Sequence, residues 1–553
     1  MRKSTLTLFA AAGLAVSCAR ADAPQHLWLH YARSCTTPKE LAEGKKFVDL
    51  AAAHGLNGML VGNVDDLFRQ GQSARDNVRA LKLYGDRKGV KIIPSVWGTS
   101  PGAMTYSTPS LHETIALKGM PFEVQGDRIV HRKGATPIRN ASLSEFDREK
   151  NVFANWSAEH PGVGSFVDLE GGHDGKPAVR FEPALAKDKY RHSRFTQKVT
   201  LEPRRRYRFS GWVRGEDADR YFHPVVVSVG VDNGKDAPMT FSSSGRNVPK
   251  DDAGWHQLSV SFTAGESGTV YLYAGSWNMT DGKFWLSDFA LEEIGITELS
   301  MRKSAPRRLR NAVTGVSYAE GKDWTLAPRK HGEEVVLDLA KGSAIRPGDQ
   351  LLFDCFIVAH GGPKSNSSTC MSDPQLYEWL EKSARTIREV LEPEVWMLGI
   401  DEIMAGGTCE LCKTGKKDLA HILGECTTKM RDIIRKETPN AEIFVWSDMY
   451  DPYHNANVRL GACKGTFEGV GDLIPKDVGM MLWYGEKVGK SAPYFAERGH
   501  RLMGSICCDG KDVAGAVRKW KEGLSAYPEL RGFMYTTWIN EYSKIDTFVR
   551  ELK

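Results

Sequence analysis

The sequence predicts an α/β protein, a (β/α)8 TIM barrel interrupted by a large inserted β-sandwich. Three observations predict it. Short apolar runs alternate with amphipathic helices at both ends of the chain, as parallel βα units do. In the middle, two-residue periodicity and turn residues replace the helical pattern. Three apolar runs precede the break and five follow it, the strand count of a closed barrel.

Residues 1–21 read as a signal peptide. Arg2 and Lys3 precede an apolar run from Leu6 to Val16, and Ala19-Arg20-Ala21 offers a cleavage site. The competing reading makes Cys18 a lipidated N-terminus. Either way the protein is expected to be exported, periplasmic or extracellular. The run is too short to span a membrane, and no later stretch approaches one.

Residues 22–105 hold barrel strands 1–3. Leu27 to Tyr31, Gly55 to Gly62 and Val90 to Trp97 are the strands; Pro38 to His54 and Ser73 to Lys88 are the helices between them. Residues 140–295 form the sandwich, with strands expected at Tyr207 to Val213, Val225 to Val231, Trp255 to Phe262, Val270 to Ala274 and Phe284 to Leu291. Residues 296–364 read as a β-rich connector. Residues 365–553 return to the barrel. Asp373-Pro374 starts a helix whose apolar stripe runs through Leu376, Leu380, Ala384, Ile387 and Leu391. It delivers the chain into Val395-Trp396-Met397-Leu398-Gly399-Ile400, and four more strands follow at Ala441 to Trp446, Val478 to Trp483, Leu502 to Cys508 and Gly532 to Trp538.

The fourth run ends in Asp401 and Glu402. Carboxylates at the C-terminal end of a barrel strand stand where such barrels build their active sites. Side chains alternate along a strand, so the two share a pocket only if Glu402 has entered the loop. An ionised Asp401 would then keep its neighbour protonated as a general acid. The alternative is an Asp-Glu pair capping the next helix.

Net charge is +5, spread over 74 basic and 69 acidic residues; this argues against nucleic acid as a partner. Eight of the ten cysteines lie between Cys355 and Cys508. Export permits disulfides among them. Cys409 and Cys412 form a C-x-x-C, half of a zinc site, with Cys426, Cys463 or His421 available to complete it. On sequence alone no metal and no cofactor is assigned.

Two resemblances add to this reading. "YRFSGWVR", "WHQLSVSFTA" and "GKFWLSDFALEE" resemble jelly-roll carbohydrate-binding modules, which implies a jelly-roll sandwich; Tyr221 and Trp277 are its candidate stacking aromatics. "KIIPSVWGTSPG", "LGIDEI", "FVWSDMY" and "GFMYTTWINE" resemble, in order, strands 3, 4, 5 and 8 of the glycoside hydrolase family 20 barrel, the β-N-acetylhexosaminidases. The resemblance implies an oligosaccharide or glycan substrate and a substrate-assisted retaining mechanism, an exception to the two-carboxylate scheme. Glu402 would be the general acid/base and Asp401 would orient the 2-acetamido group. Arg33, Trp446, Asp448, Tyr450, Trp483, Tyr484, Trp538 and Glu541 would bind the sugar. The chain departs from the family at Met397 and Ile400, where histidine and glycine are usual, and at Cys507-Cys508-Asp509, where a tyrosine is expected. Glycoside hydrolase family 123, which also uses an aspartate-glutamate pair, is a second resemblance. Two further readings are a glycosidase acting on a sugar without an acetamido group, with Asp448, Asp509 or Glu541 as second carboxylate, and a non-catalytic polysaccharide-binding protein.

Overall fold

Eight short strands close on themselves in chain order. In this computed structural model the described residues are 25–99, 108–186, 192–203, 205–217, 223–232, 235–243, 254–265, 267–276, 282–330, 333–359 and 367–553. The expected signal peptide with Cys18, the Ser100-Pro101-Gly102 end of the third-strand motif, Tyr221 and Trp277 lie outside them.

The barrel strands are β1 (His26–His30), β2 (Gly58–Val61), β3 (Lys91–Val96), β4 (Val395–Leu398), β5 (Glu442–Trp446), β6 (Val478–Leu482), β7 (Leu502–Cys507) and β8 (Leu530–Thr536). All neighbours pair in parallel, and β8 closes on β1 with Leu27 opposite Phe533. Such strands are buried on both faces, which is why they read as continuous apolar runs. Trp28, Leu60, Ile93, Met397, Phe444, Met481, Met503 and Met534 fill the lumen. Trp28 fits because its neighbour in register is Gly58, where a Cβ would lie 2.5 Å from the indole.

Helices α1 (Pro38–Ala53), α2 (Gln72–Lys88), α3 (Pro374–Leu391), α4 (Glu410–Thr414), α5 (Leu419–Glu437), α6 (Val488–Ala496), α7 (Val513–Leu524) and α8 (Ile545–Leu552) occupy the links between strands and the end of the chain. Their starts are chemically marked: Thr37 and Glu40 form a capping box, and Asp373 and Asp418 accept backbone N–H groups at N-caps.

One link departs from the strict (β/α)8 pattern. Residues 447–477, between β5 and β6, contain no α-helix, only a 3-10 turn at Val470–Asp472. The two helices between β4 and β5 are a five-residue piece and a longer one, so eight helices do not mean eight βα units. What is present is a closed eight-stranded parallel barrel with antiparallel sheets inserted between β3 and β4.

The insertion is nested. A seven-stranded sheet takes Thr114–Gln125 and Arg128–His131 from before the sandwich and five strands between Arg308 and Val358 from after it. Thr114–Gln125 pairs along its length with Gln350–Val358. The stretch read from sequence as a connector is therefore the larger part of a sheet with its own core, including Phe122, Leu309, Trp324 and Phe353. Within it sit the two five-stranded antiparallel sheets of the sandwich. Phe195 stacks on Trp156 at 4.5 Å, and Phe289 packs against both Phe195 and Phe209 in the core between the sheets.

Candidate active site

The C-terminal rim of the barrel concentrates left-handed backbone. Ala32, Asn63, Trp97, Glu402 and Asn540, each just past the end of a barrel strand, have φ between 42° and 63°. None is glycine, so each costs free energy that its surroundings must offset. For Glu402 the support is visible: its N–H donates to Asp448 Oδ2 at 2.9 Å. The same device holds Trp97, whose N–H donates to the buried Asp65 at 2.5 Å.

Asp401 and Glu402 both lie beyond the end of β4 at Leu398, so strand alternation no longer separates them. Both are half-buried. Asp448, two residues past β5, is fully buried and accepts at Oδ2 also from Asn455 (2.8 Å) and at Oδ1 from the Trp483 indole (3.4 Å). Burial pushes Asp448 up to about 6, against the pull of these three donors. Burial, then the charges of Asp448 and Glu402, hold Asp401 well above the usual carboxylate range. The sequence reading put the standing charge on Asp401; its surroundings oppose that.

The aromatic wall has two parts. Trp446 ends β5 and its ring lies 6.4 Å from that of Trp538, two residues past β8. His30, the last residue of β1, is 5.0 Å from Trp538 and 6.1 Å from Trp446. Trp446 is buried, whereas Trp538 is 59% exposed. Asp509 aims Trp538, accepting from its N–H at 2.8 Å and from Thr537 Oγ1 at 2.5 Å. Trp483 packs against the lumen cluster to which Trp446 belongs. On its other side His454 meets Trp483 at 4.4 Å and Tyr484 at 4.6 Å.

Three expected binding residues are engaged elsewhere. Tyr450 is fully buried in the layer between strands and helices, its hydroxyl 2.7 Å from Thr427 Oγ1 on α5; it is a wall residue and is corrected as such. Glu541 spends its carboxylate on the N–H and hydroxyl of Ser543, which holds it below the usual range. Arg33 bonds Asn540 and lies over the Tyr31 and Phe47 rings, so it braces the loops after β1 and β8.

Three residues escaped the sequence reading. His30 and His454 are each pushed down to about 4 by burial, and each has a buried Nδ1 without a hydrogen-bond partner. Asn455 fixes Asp448. The signal for His30 was its place as the last residue of a barrel strand. His454 and Asn455 sit in a loop whose path has no periodicity to read. An open depression at the opposite end of the barrel, around His26, Lys91 and Glu442, lies on the face where barrels keep stabilising contacts; His26 and Arg501 pair with Glu442 there.

No family model matches the chain, and no curated protein matches it in sequence. Among solved structures it is similar to TmCBM61 in complex with β-1,4-galactotriose, at 17% identity over 29% of this chain and 100% of that one, TM-score 0.20. It is similar also to the CBM22-1 xylan-binding domain of Paenibacillus barcinonensis Xyn10C, at 16% identity over 28% of this chain and 94% of that one, TM-score 0.21. A CBM4 structure matches at 16% identity over 28% and 99%, TM-score 0.20. Each likeness concerns less than a third of the chain.

Proposed function

We propose that the barrel is an exported glycoside hydrolase cleaving β-linked N-acetylhexosamine by a substrate-assisted retaining mechanism. The observation that carries it is the convergence of Asp401, Glu402 and Asp448 at the C-terminal mouth, with Glu402 locked into a left-handed backbone by Asp448. The quoted resemblance to glycoside hydrolase family 20 supplies the reaction class.

In this reading Glu402 gives its proton to the glycosidic oxygen as the bond to the anomeric carbon breaks. The substrate's acetamido oxygen forms the new bond to that carbon; Glu402 then takes a proton from a water that bonds to the same carbon as the bond to the acetamido oxygen breaks and the acetamide is restored. Asp401 serves the acetamido group. Its charge is disfavoured at rest and becomes favourable as positive charge develops on the acetamido group, so its stabilisation is greatest in the transition state. Trp446, Trp483 and Trp538 wall the sugar and keep water from the cation. His30 and His454, neutral at physiological pH, pack against Trp538 and Trp483 and hold those rings in place.

The test is a panel of chromogenic β-glycosides with product stereochemistry. The expected result is turnover of N-acetyl-β-hexosaminides with retention and tight binding of a thiazoline that mimics the oxazoline. Turnover confined to sugars without an acetamido group would call for a second carboxylate, Asp448, Asp509 or Glu541. Binding of glycans without turnover of any would leave a polysaccharide-binding barrel.

A further inference from the structure

We propose that Glu113, Cys370, Cys409 and Cys412 form a structural zinc site that clamps both ends of the insertion to the loop carrying Glu402. Their donor atoms all lie within 4.8 Å of one another, and all four residues are buried. Cys370 Sγ is 3.5 Å from Cys409 Sγ and 3.8 Å from Cys412 Sγ. Zinc–thiolate bonds of about 2.3 Å in a tetrahedron place the sulfurs roughly 3.8 Å apart. A disulfide would need about 2.05 Å.

The donors come from three separate pieces of chain. Cys409 is the N-cap of α4 and Cys412 lies within it, so the i,i+3 spacing puts both sulfurs on one side of the turn. Glu113 lies on the path from β3 into the insertion and Cys370 on the path back. The two paths run side by side: Glu113 N–H donates to the Ser368 carbonyl at 2.7 Å and Cys370 N–H to the Leu111 carbonyl at 2.8 Å. The set completes the C-x-x-C differently from the sequence expectation. Cys463 instead points its thiol at the Ile403 carbonyl at 3.2 Å, and His421 bonds Asp418 on the surface.

Glu113 is posed as a ligand. Its Oε1 accepts from the N–H groups of Thr408 (2.7 Å) and Cys409 (2.9 Å) and from Thr408 Oγ1 (3.0 Å), leaving Oε2 facing Cys412 at 3.7 Å. These bonds fix the carboxylate's direction as outer partners of metal ligands do. Three thiolates and a carboxylate against a divalent ion leave net negative charge, and the buried Arg302 guanidinium, paired with Asp373 Oδ2 at 3.0 Å, lies beside Cys370 and Cys409. Four protein donors make a closed site, the structural rather than the hydrolytic kind. The proposal is independent of the reaction at Glu402.

The experiment measures metal in the full chain, purified without a metal-affinity step from zinc-supplemented medium, by elemental analysis and native mass spectrometry. One zinc per chain is expected. Cobalt exchanged into the site should show thiolate charge-transfer and intense tetrahedral ligand-field bands. Cys409→Ser should abolish binding and Glu113→Gln should weaken it at least 10-fold, whereas Cys463→Ser should bind as wild type. A metal-free wild type that also refuses added zinc and cobalt would overturn the proposal. So would an intact mass two hydrogens light that maps to a Cys370–Cys409 bridge. Glu113→Gln with unchanged affinity and cobalt spectrum would overturn the donor set.

Discussion

Glu402 donates its backbone N–H to Asp448 Oδ2 at 2.9 Å, tying the end of β4 to the end of β5. The bond does two things: it supports a left-handed residue, and it brings a buried carboxylate beside Asp401 and Glu402.

Glu402→Gln removes the transferable proton and keeps the shape. Turnover of a chromogenic N-acetyl-β-hexosaminide should fall about 100- to 10,000-fold, with an unchanged circular dichroism spectrum. A near-wild-type rate would release Glu402 from its role.

Asp448→Asn separates stability from activity. Asp448 has its folded value raised from 3.8 to about 6, so the folded state binds the extra proton. Stability therefore falls as pH rises from about 4 through 6, and the full cost, about 3 kcal/mol, stands above pH 6. The variant should melt higher relative to wild type at pH 8 than at pH 4.5, read by differential scanning calorimetry. Removing that charge also lowers Asp401, so the acidic limb of the activity profile should move to lower pH.

Trp538→Ala and Trp446→Ala should part company. Trp538 is exposed and supports no core, so its loss should raise KM about 10-fold with little change in melting temperature. Trp446 is buried in the lumen cluster, and truncation should cost about 3–5 kcal/mol in denaturant unfolding.

His30→Phe removes a buried ring nitrogen without a partner. Stability should hold within about 1 kcal/mol, since losing the unsatisfied Nδ1 offsets losing the hydrogen bond to the Thr537 backbone, and KM should hold because a phenyl ring still packs on Trp538. A raised KM would give His30 a contact with the sugar.

Tyr450→Phe tests whether the buried hydroxyl serves only its bond to Thr427. It should cost about 1 kcal/mol through the lost Thr427 bond, and kcat should not move.

What was legible in the sequence follows from periodicity. The β1 to β8 runs are apolar on both faces, and that pattern survives without knowledge of partners, so the strand count and the closed barrel could be read. The Asp401–Glu402 pair announced itself by ending such a run. Tyr450 could not be placed, because the 447–477 link has no helix and hence no period to say which side chains turn inward. Pairing across the insertion was also out of reach. Gln350–Val358 meets Thr114–Gln125 more than two hundred residues away, and a strand's pattern names its buried face, not its neighbour. Glu113 and Cys370 were missed as companions of Cys409 and Cys412 for the same reason.

The nesting has a consequence for biosynthesis. When β3 leaves the ribosome at Val96, its partner β4 is still encoded beyond residue 394, a wait on the order of tens of seconds at ordinary elongation rates. The innermost sandwich has all its strands first, the surrounding sheet closes when Gln350–Val358 emerges, and only then can the barrel find its second half. The chain begins its barrel first and completes it last, with β1, β2 and β3 paired only to one another and both outer edges open throughout.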